Sequence, residues 1–143
     1  MTSNPPEGMQ RIIPMLVYAD APAALAFLAE AFGFEERYRM EMDDGRIGHA
    51  ELGYSDNVVM LASEFEDMGL QSPAKLPAHH AQVMCYVDDV DAHYEQAKAA
   101  GAIIVAAPED QPYGSRMYRA VDPEGGRWLF AMPLADAGAS ASD

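Results

Sequence analysis

Two pairs of side chains stand two residues apart in stretches of alternating character, and they define most of the chemistry open to this chain. His49 and Glu51 put an imidazole and a carboxylate on one face of an extended segment. Such a pair can transfer a proton, or hold a cationic or amide-bearing molecule. It can equally be a structural hydrogen bond near the edge of a sheet, or lie wholly in solvent. Arg116 and Tyr118 form the second pair, just after Pro112-Tyr113-Gly114. Arginine presents a rigid fork of donors to a carboxylate or phosphate, and tyrosine an aromatic wall with a hydroxyl. The plain alternative is an arginine paired with a surface carboxylate. No Cys–His or Ser–His nucleophile is visible, so no catalytic residue is assigned. Asp88, Asp89 and Asp91 resemble a calcium cluster only superficially, because a helix begins where loop ligands would have to continue.

Composition narrows the partners. Of 143 residues, 50% are hydrophobic and 22% charged, as in a globular protein with material for a core. The size fits one domain, or two small modules sharing a core. Nine Lys and Arg against 23 Asp and Glu leave a net charge of −14. That charge repels phosphate backbones and anionic lipid surfaces, so neither nucleic acid nor membrane is an expected partner. It promotes solubility and would attract a cationic ligand. No apolar run reaches the roughly 20 residues of a membrane-spanning helix, and Met1 to Gly8 does not read as a signal peptide. With Cys85 as the single cysteine, no intramolecular disulfide can form, and a cytoplasmic location is expected.

The elements that must position these side chains punctuate the chain clearly. Residues 1–9 and 134–143 read as flexible tails. Ile12–Ala19 reads as a buried strand, pushed towards an edge or a bulge by Pro14. Asp20 then caps a helix with Pro22 in its first turn, Leu25, Leu28 and Phe32 on one face, and Gly33 as its stop. Phe34–Asp43, Arg46–Tyr54 and Asn57–Ser63 read as strands joined by Asp44-Gly45 and Ser55-Asp56 turns. Residues 65–80, with Gly69, Pro73 and Pro77, read as a linker. The rhythm then restarts: strand Ala81–Val87, a helix capped by Asp88 or Asp89 and ended by Gly101, strands Ala102–Ala106 and Gly114–Val121, a DPEGG turn, and strand Arg127–Met132. A shift of 68 residues places Asp20 on Asp88, Gly33 on Gly101 and Tyr18 on Tyr86. The βαβββ order therefore occurs twice, as a duplication of a module that cannot bury its own sheet face alone.

Three segments carry a family resemblance on this duplicated frame: DAPAALAFLAEAFGF at Asp20–Phe34, HAELGYSDNVVMLASE at His49–Glu64, and QPYGSRMYRAVDPEGGRWLF at Gln111–Phe130. Together they resemble the vicinal oxygen chelate superfamily of glyoxalases, bleomycin-resistance proteins and extradiol dioxygenases, most closely its PhnB-like branch. The resemblance covers residues 10–133. It implies an α+β fold in which two βαβββ modules, here residues 10–64 and 81–133, curve a mixed sheet around one cavity. It also implies a homodimer.

In the metal enzymes of that family four positions supply ligands, two from each module. Here they correspond to Ile13 or Pro14, Met60, Gln82 and Leu129. A thioether suits soft ions, and only Gln82 offers an oxygen, so no metal site and no cofactor are expected. The expected function is metal-independent binding of a small molecule, as in resistance by sequestration. The alternative is a lyase, isomerase or dioxygenase of the same family, either with relocated metal ligands or as a metal-free acid–base catalyst using His49 and Glu51. If Ser55-Asp56 is a two-residue loop, Tyr54 pairs with Asn57, Glu51 lies opposite Met60 and His49 opposite Ala62. His49 and Glu51 then share the cavity wall with Met60, joined by Met15, Met84, Gln82, and Arg116 with Tyr118. A slip of one residue at the DPEGG turn would turn Arg119 inward instead of Arg116. Trp128 and Phe130 alternate with Leu129 and are expected to face a helix, as is Cys85.

Overall fold

The computed structural model describes residues 4–134. The expected tails at 1–3 and 135–143 lie outside the described residues. The described chain divides at Pro77/Ala78 into two compact units.

In the first unit, β1 (Met15–Tyr18) is followed by α1 (Ala21–Phe32), β2 (Glu35–Glu41), β3 (Ile47–Tyr54) and β4 (Asn57–Ser63). The sheet order is β1-β4-β3-β2, with β1 and β4 parallel and the other pairs antiparallel. Asp20 caps α1 by accepting from the Ala23 N–H at 3.1 Å, and Gly33 ends it in the left-handed region at φ 81°. Leu25, Leu28 and Phe32 are buried on the helix face, as Ala50, Leu52, Val59 and Leu61 are on the sheet. The first strand is shorter than expected because pairing starts only after Pro14, whose carbonyl accepts from the Met60 N–H at 3.0 Å. The stretch read as a linker contains two short 3-10 turns, Glu66–Met68 and Pro73–Lys75.

In the second unit, β5 (Val83–Tyr86), α2 (Val90–Ala99), β6 (Ile103–Gln111), β7 (Ser115–Val121) and β8 (Arg127–Pro133) repeat the order. The sheet runs β5-β8-β7-β6, again with a parallel β5/β8 pair. Both units are thus four-stranded mixed sheets carrying one helix each, an α+β fold with no closed barrel.

Two expectations need correcting, and one choice between two residues is decided. Strand β6 runs on to Gln111 instead of stopping at Ala106. Pro108, Glu109 and Asp110 read as a loop, but β6 is an edge strand, where a missing N–H and charged side chains are tolerated. The cap of α2 is Asp89, which accepts from the Ala92 N–H at 3.1 Å, and not Asp88. The first strands are consequently related by a shift of 69: Met15 pairs with Met60 as Met84 pairs with Leu129. Tyr18, buried at 2% exposure, therefore matches Val87, while Tyr86 is 62% exposed and belongs to the other face. No helix among the described residues is long and apolar enough to cross a membrane.

Candidate functional site

Each sheet has one face under its helix and one turned away from it, and side-chain alternation assigns every strand residue to one or the other. In the first unit Tyr54 pairs with Asn57 and Glu51 with Met60, as a two-residue turn at Ser55-Asp56 requires. The paired ladder with β4 ends at Ala50–Leu61, one residue short of His49, so no partner on β4 is assigned to His49. Ala50 and Leu52 are buried on the α1 side, so His49 and Glu51 lie on the open side. A single row crosses that open face: Met15, Met60, Glu51 and Tyr38 are successive cross-strand partners. The structure thus brings His49, Glu51, Met60 and Met15 onto one surface.

The geometry of that surface is specific. His49 Nε2 lies 3.0 Å from Glu51 Oε2, with both side chains about a quarter to a third exposed. The Tyr38 ring stands 5.9 Å from the His49 ring, and Met40 is the cross-strand partner of His49. Two aromatic rings, several thioethers and one carboxylate can hold an apolar molecule by its body and fix a cationic or N–H-bearing group by the acid.

In the second unit the register removes the earlier ambiguity. Arg119 lies opposite Leu129, whereas Tyr118 lies opposite Phe130 and Arg116 opposite Met132. Trp128 and Phe130 face α2, as expected, so Arg116 and Tyr118 face it too. Correcting their expected place on the cavity wall, Arg116 Nε and Nη2 each donate to the Asp91 carboxylate of α2 at 3.0 Å, and Nη1 donates to Asp110 at 2.9 Å. The guanidinium holds the Asp91 carboxyl below its usual range, and the two acids, Asp91 foremost, raise the arginine in turn. Tyr118 is fully buried, with its hydroxyl 2.6 Å from His93 Nδ1, and the His93 ring packs 4.3 Å from Phe130. These residues seat the helix. Cys85 also faces α2, and burial pushes its thiol up to about 11, which leaves it a poor nucleophile. Gln82 is exposed, just ahead of β5, and Met84 is 46% exposed on the open side.

The duplication relates Met60 to Leu129 and, on the adjacent strand of the same row, Glu51 to Arg119. Equivalent positions of the two open faces thus carry opposite charges. Sequence reasoning had the acid but preferred Arg116 to Arg119. It also missed His93, although Val90, His93 and Ala97 form a helical stripe that marks the inner face of α2.

A cavity of about 360 Å³ in the first unit lies elsewhere, lined by Ala19, Arg46, Ser63, Glu64, Glu66 and Asp67. Two of its charged groups, Arg46 and Glu64, are engaged by neighbours. Arg46 bonds Asp44 at 2.8 Å and lies over the Phe65 ring. Glu64 accepts from Lys75 at 2.6 Å and from the Ser72 N–H at 2.7 Å, contacts that hold its carboxyl below the usual range. None of the residues singled out in the sequence lines it.

Among the described residues no group of three His, Cys, Asp or Glu side chains is placed to hold a metal ion. The family's four ligand positions do not fit a hard divalent ion here. Ile13, Pro14 and Leu129 have no side-chain donor, Met60 is a thioether, and Gln82 offers a single amide oxygen.

The chain is similar to an uncharacterised protein of Mycobacterium bovis, at 35% identity over 124 residues that span 85% of this chain and 82% of that protein. Among solved structures it is similar to TioX from Micromonospora sp. ML1, with 33% identity, a TM-score of 0.69, and coverage of 87% of this chain and 99% of TioX. It shares the fold of FosX, a fosfomycin resistance protein of Listeria monocytogenes solved with Mn(II) and a dihydroxypropylphosphonic acid. That likeness has a TM-score of 0.68 at 14% identity and covers 94% of this chain and 98% of FosX. The matching family model extends over residues 11–130, and the chain belongs to the Glyoxalase/Bleomycin resistance protein/Dioxygenase superfamily.

Proposed function

We propose that this protein binds a small organic molecule without a divalent metal, in the manner of resistance by sequestration, and that the open face of its first sheet is the binding wall. The observation that carries the reading is the Glu51 carboxylate, hydrogen-bonded to His49 and set in the Met15–Met60–Tyr38 row. An apolar, deformable surface with one oriented acid suits a ligand with an apolar body and a positive or N–H-rich group. The net charge of −14 favours the same ligands in solution. The metal-dependent chemistry of the family has no supporting donor set here. A metal-free proton transfer through the 3.0 Å His49–Glu51 contact is the second reading.

A thermal-shift screen of cationic compounds, bleomycin included, against a matched anionic set tests the proposal. Cationic compounds are expected to raise the melting temperature more often. Glu51→Gln should reduce those shifts, and Glu95→Gln, on the exposed side of α2, should not. Larger shifts with the anionic set, abolished by Arg119→Gln, would move the site to the second unit and overturn this assignment.

The proposal extends to a homodimer. Met15, Tyr86 and Met84 are 69%, 62% and 46% exposed, and each four-stranded sheet has two edge strands. Pairing of two copies would cover such surfaces. Light scattering at micromolar concentration is expected to give twice the monomer mass. A monomer at that concentration contradicts the pairing.

A further inference from the structure

We propose that Met40, Met42 and His49 form a binding site for a soft monovalent cation, copper(I) being the biological candidate. The site is separate from the family's ligand positions and does not rest on the small-molecule reading above. Met40 and His49 are cross-strand partners on β2 and β3 and share the open face. The register slips between Met40 and Glu41, which makes Gly48 the extra residue of β3. A Cβ at Gly48 would fall 2.5 Å from Met40 Cε and 3.7 Å from Met42 Sδ. The missing side chain therefore lets two thioethers fold over the backbone immediately beside His49.

The imidazole is anchored through its other ring nitrogen. Its Nε2 lies 3.0 Å from a Glu51 oxygen, and in the neutral tautomer that donates to that oxygen the lone pair is on Nδ1. A carboxylate that fixes the tautomer of a histidine in this way is the usual support of a metal-binding imidazole. Thioether and imidazole donors together select copper(I) over hard divalent ions. Burial does not account for methionine here, since Met40 and Met42 remain 45% and 37% exposed. The net charge of −14 raises the local concentration of any cation.

The test is anaerobic titration of the full chain with copper(I) in competition with a chromophoric copper(I) chelator. A Cys85→Ser background removes the single thiol. One equivalent is expected to transfer to the protein. Met40→Leu/Met42→Leu, which keeps size and apolarity, should weaken binding at least about 100-fold with an unchanged circular-dichroism melt. His49→Gln should weaken it independently, and Met68→Leu, on a distant turn, should not. No transfer from the chelator, loss of binding on Cys85→Ser alone, or affinity within about threefold in the double Leu variant would each overturn the site. Met42→Leu alone alters no residue of the proposed small-molecule wall, so it should weaken copper(I) binding while thermal shifts by organic cations persist, which separates failure of this site from failure of the proposed function.

Discussion

Replacing Asp122 by alanine is expected to lower the unfolding free energy by at least about 3 kcal/mol. Asp122 is 1% exposed and organises the turn between β7 and β8. Its carboxylate accepts from the Trp128 indole N–H at 3.0 Å, the Gly126 N–H at 2.8 Å and the Glu124 N–H at 3.1 Å. Alanine removes all three hydrogen bonds at once, among them the one from the indole of a tryptophan that is 1% exposed. Hydrogen bonds to a charged group contribute about 1.5–3 kcal/mol each and are not additive, so the sum sets an upper limit. Asp122→Asn keeps the shape but turns one acceptor into a donor, and an intermediate loss is expected. Trp128 is the single tryptophan. Urea unfolding followed by its fluorescence, with circular dichroism in parallel, measures the effect at the turn and globally. A loss below about 1 kcal/mol in Asp122→Ala would show that water replaces the carboxylate and that the turn is not held as described.

Phe32→Ala should destabilise the first unit by about 3–5 kcal/mol. Phe32 is fully buried at the end of α1 and meets Phe27 edge-on, with ring centroids 5.3 Å apart. Alanine loses the transfer energy of the ring and leaves a void that a short helix capped at both ends cannot close. Hydrogen exchange of the Ala50–Leu52 amides, read beside the global denaturation curve, should report the loss. If the variant matched the parent in both, the α1 face would not be the core of that unit.

The first unit was legible because its turns are short. Two residues at Ser55-Asp56 leave only one pairing, and alternation then carries Glu51 and Met60 to one face. The second unit hides its register in the length of a turn. The Asp122 N–H donates to the Gly126 carbonyl at 2.9 Å, which extends the ladder and leaves three residues in the loop. That count puts Arg119, rather than Arg116, opposite Leu129. Composition cannot supply it, because DPEGG closes equally well as a longer loop. The length of β6 was masked for another reason: proline and acidic residues signal a loop unless the strand is known to be an edge. The copper site was not legible at all. It depends on an irregular pairing at Gly48, and bulges do not follow from alternation.

The account stands on the open face of the first sheet being where a ligand binds. A methyl-labelled methionine spectrum tests this most directly, using the cationic compound with the largest thermal shift in the screen. The Met15 and Met60 methyl resonances are expected to move with saturation, and Glu51→Gln should weaken that response. Met68, on a distant turn, and Met132, on the α2 face of the second sheet, should stay in place. Movement confined to Met68 or Met132, or a response indifferent to Glu51→Gln, would contradict the account.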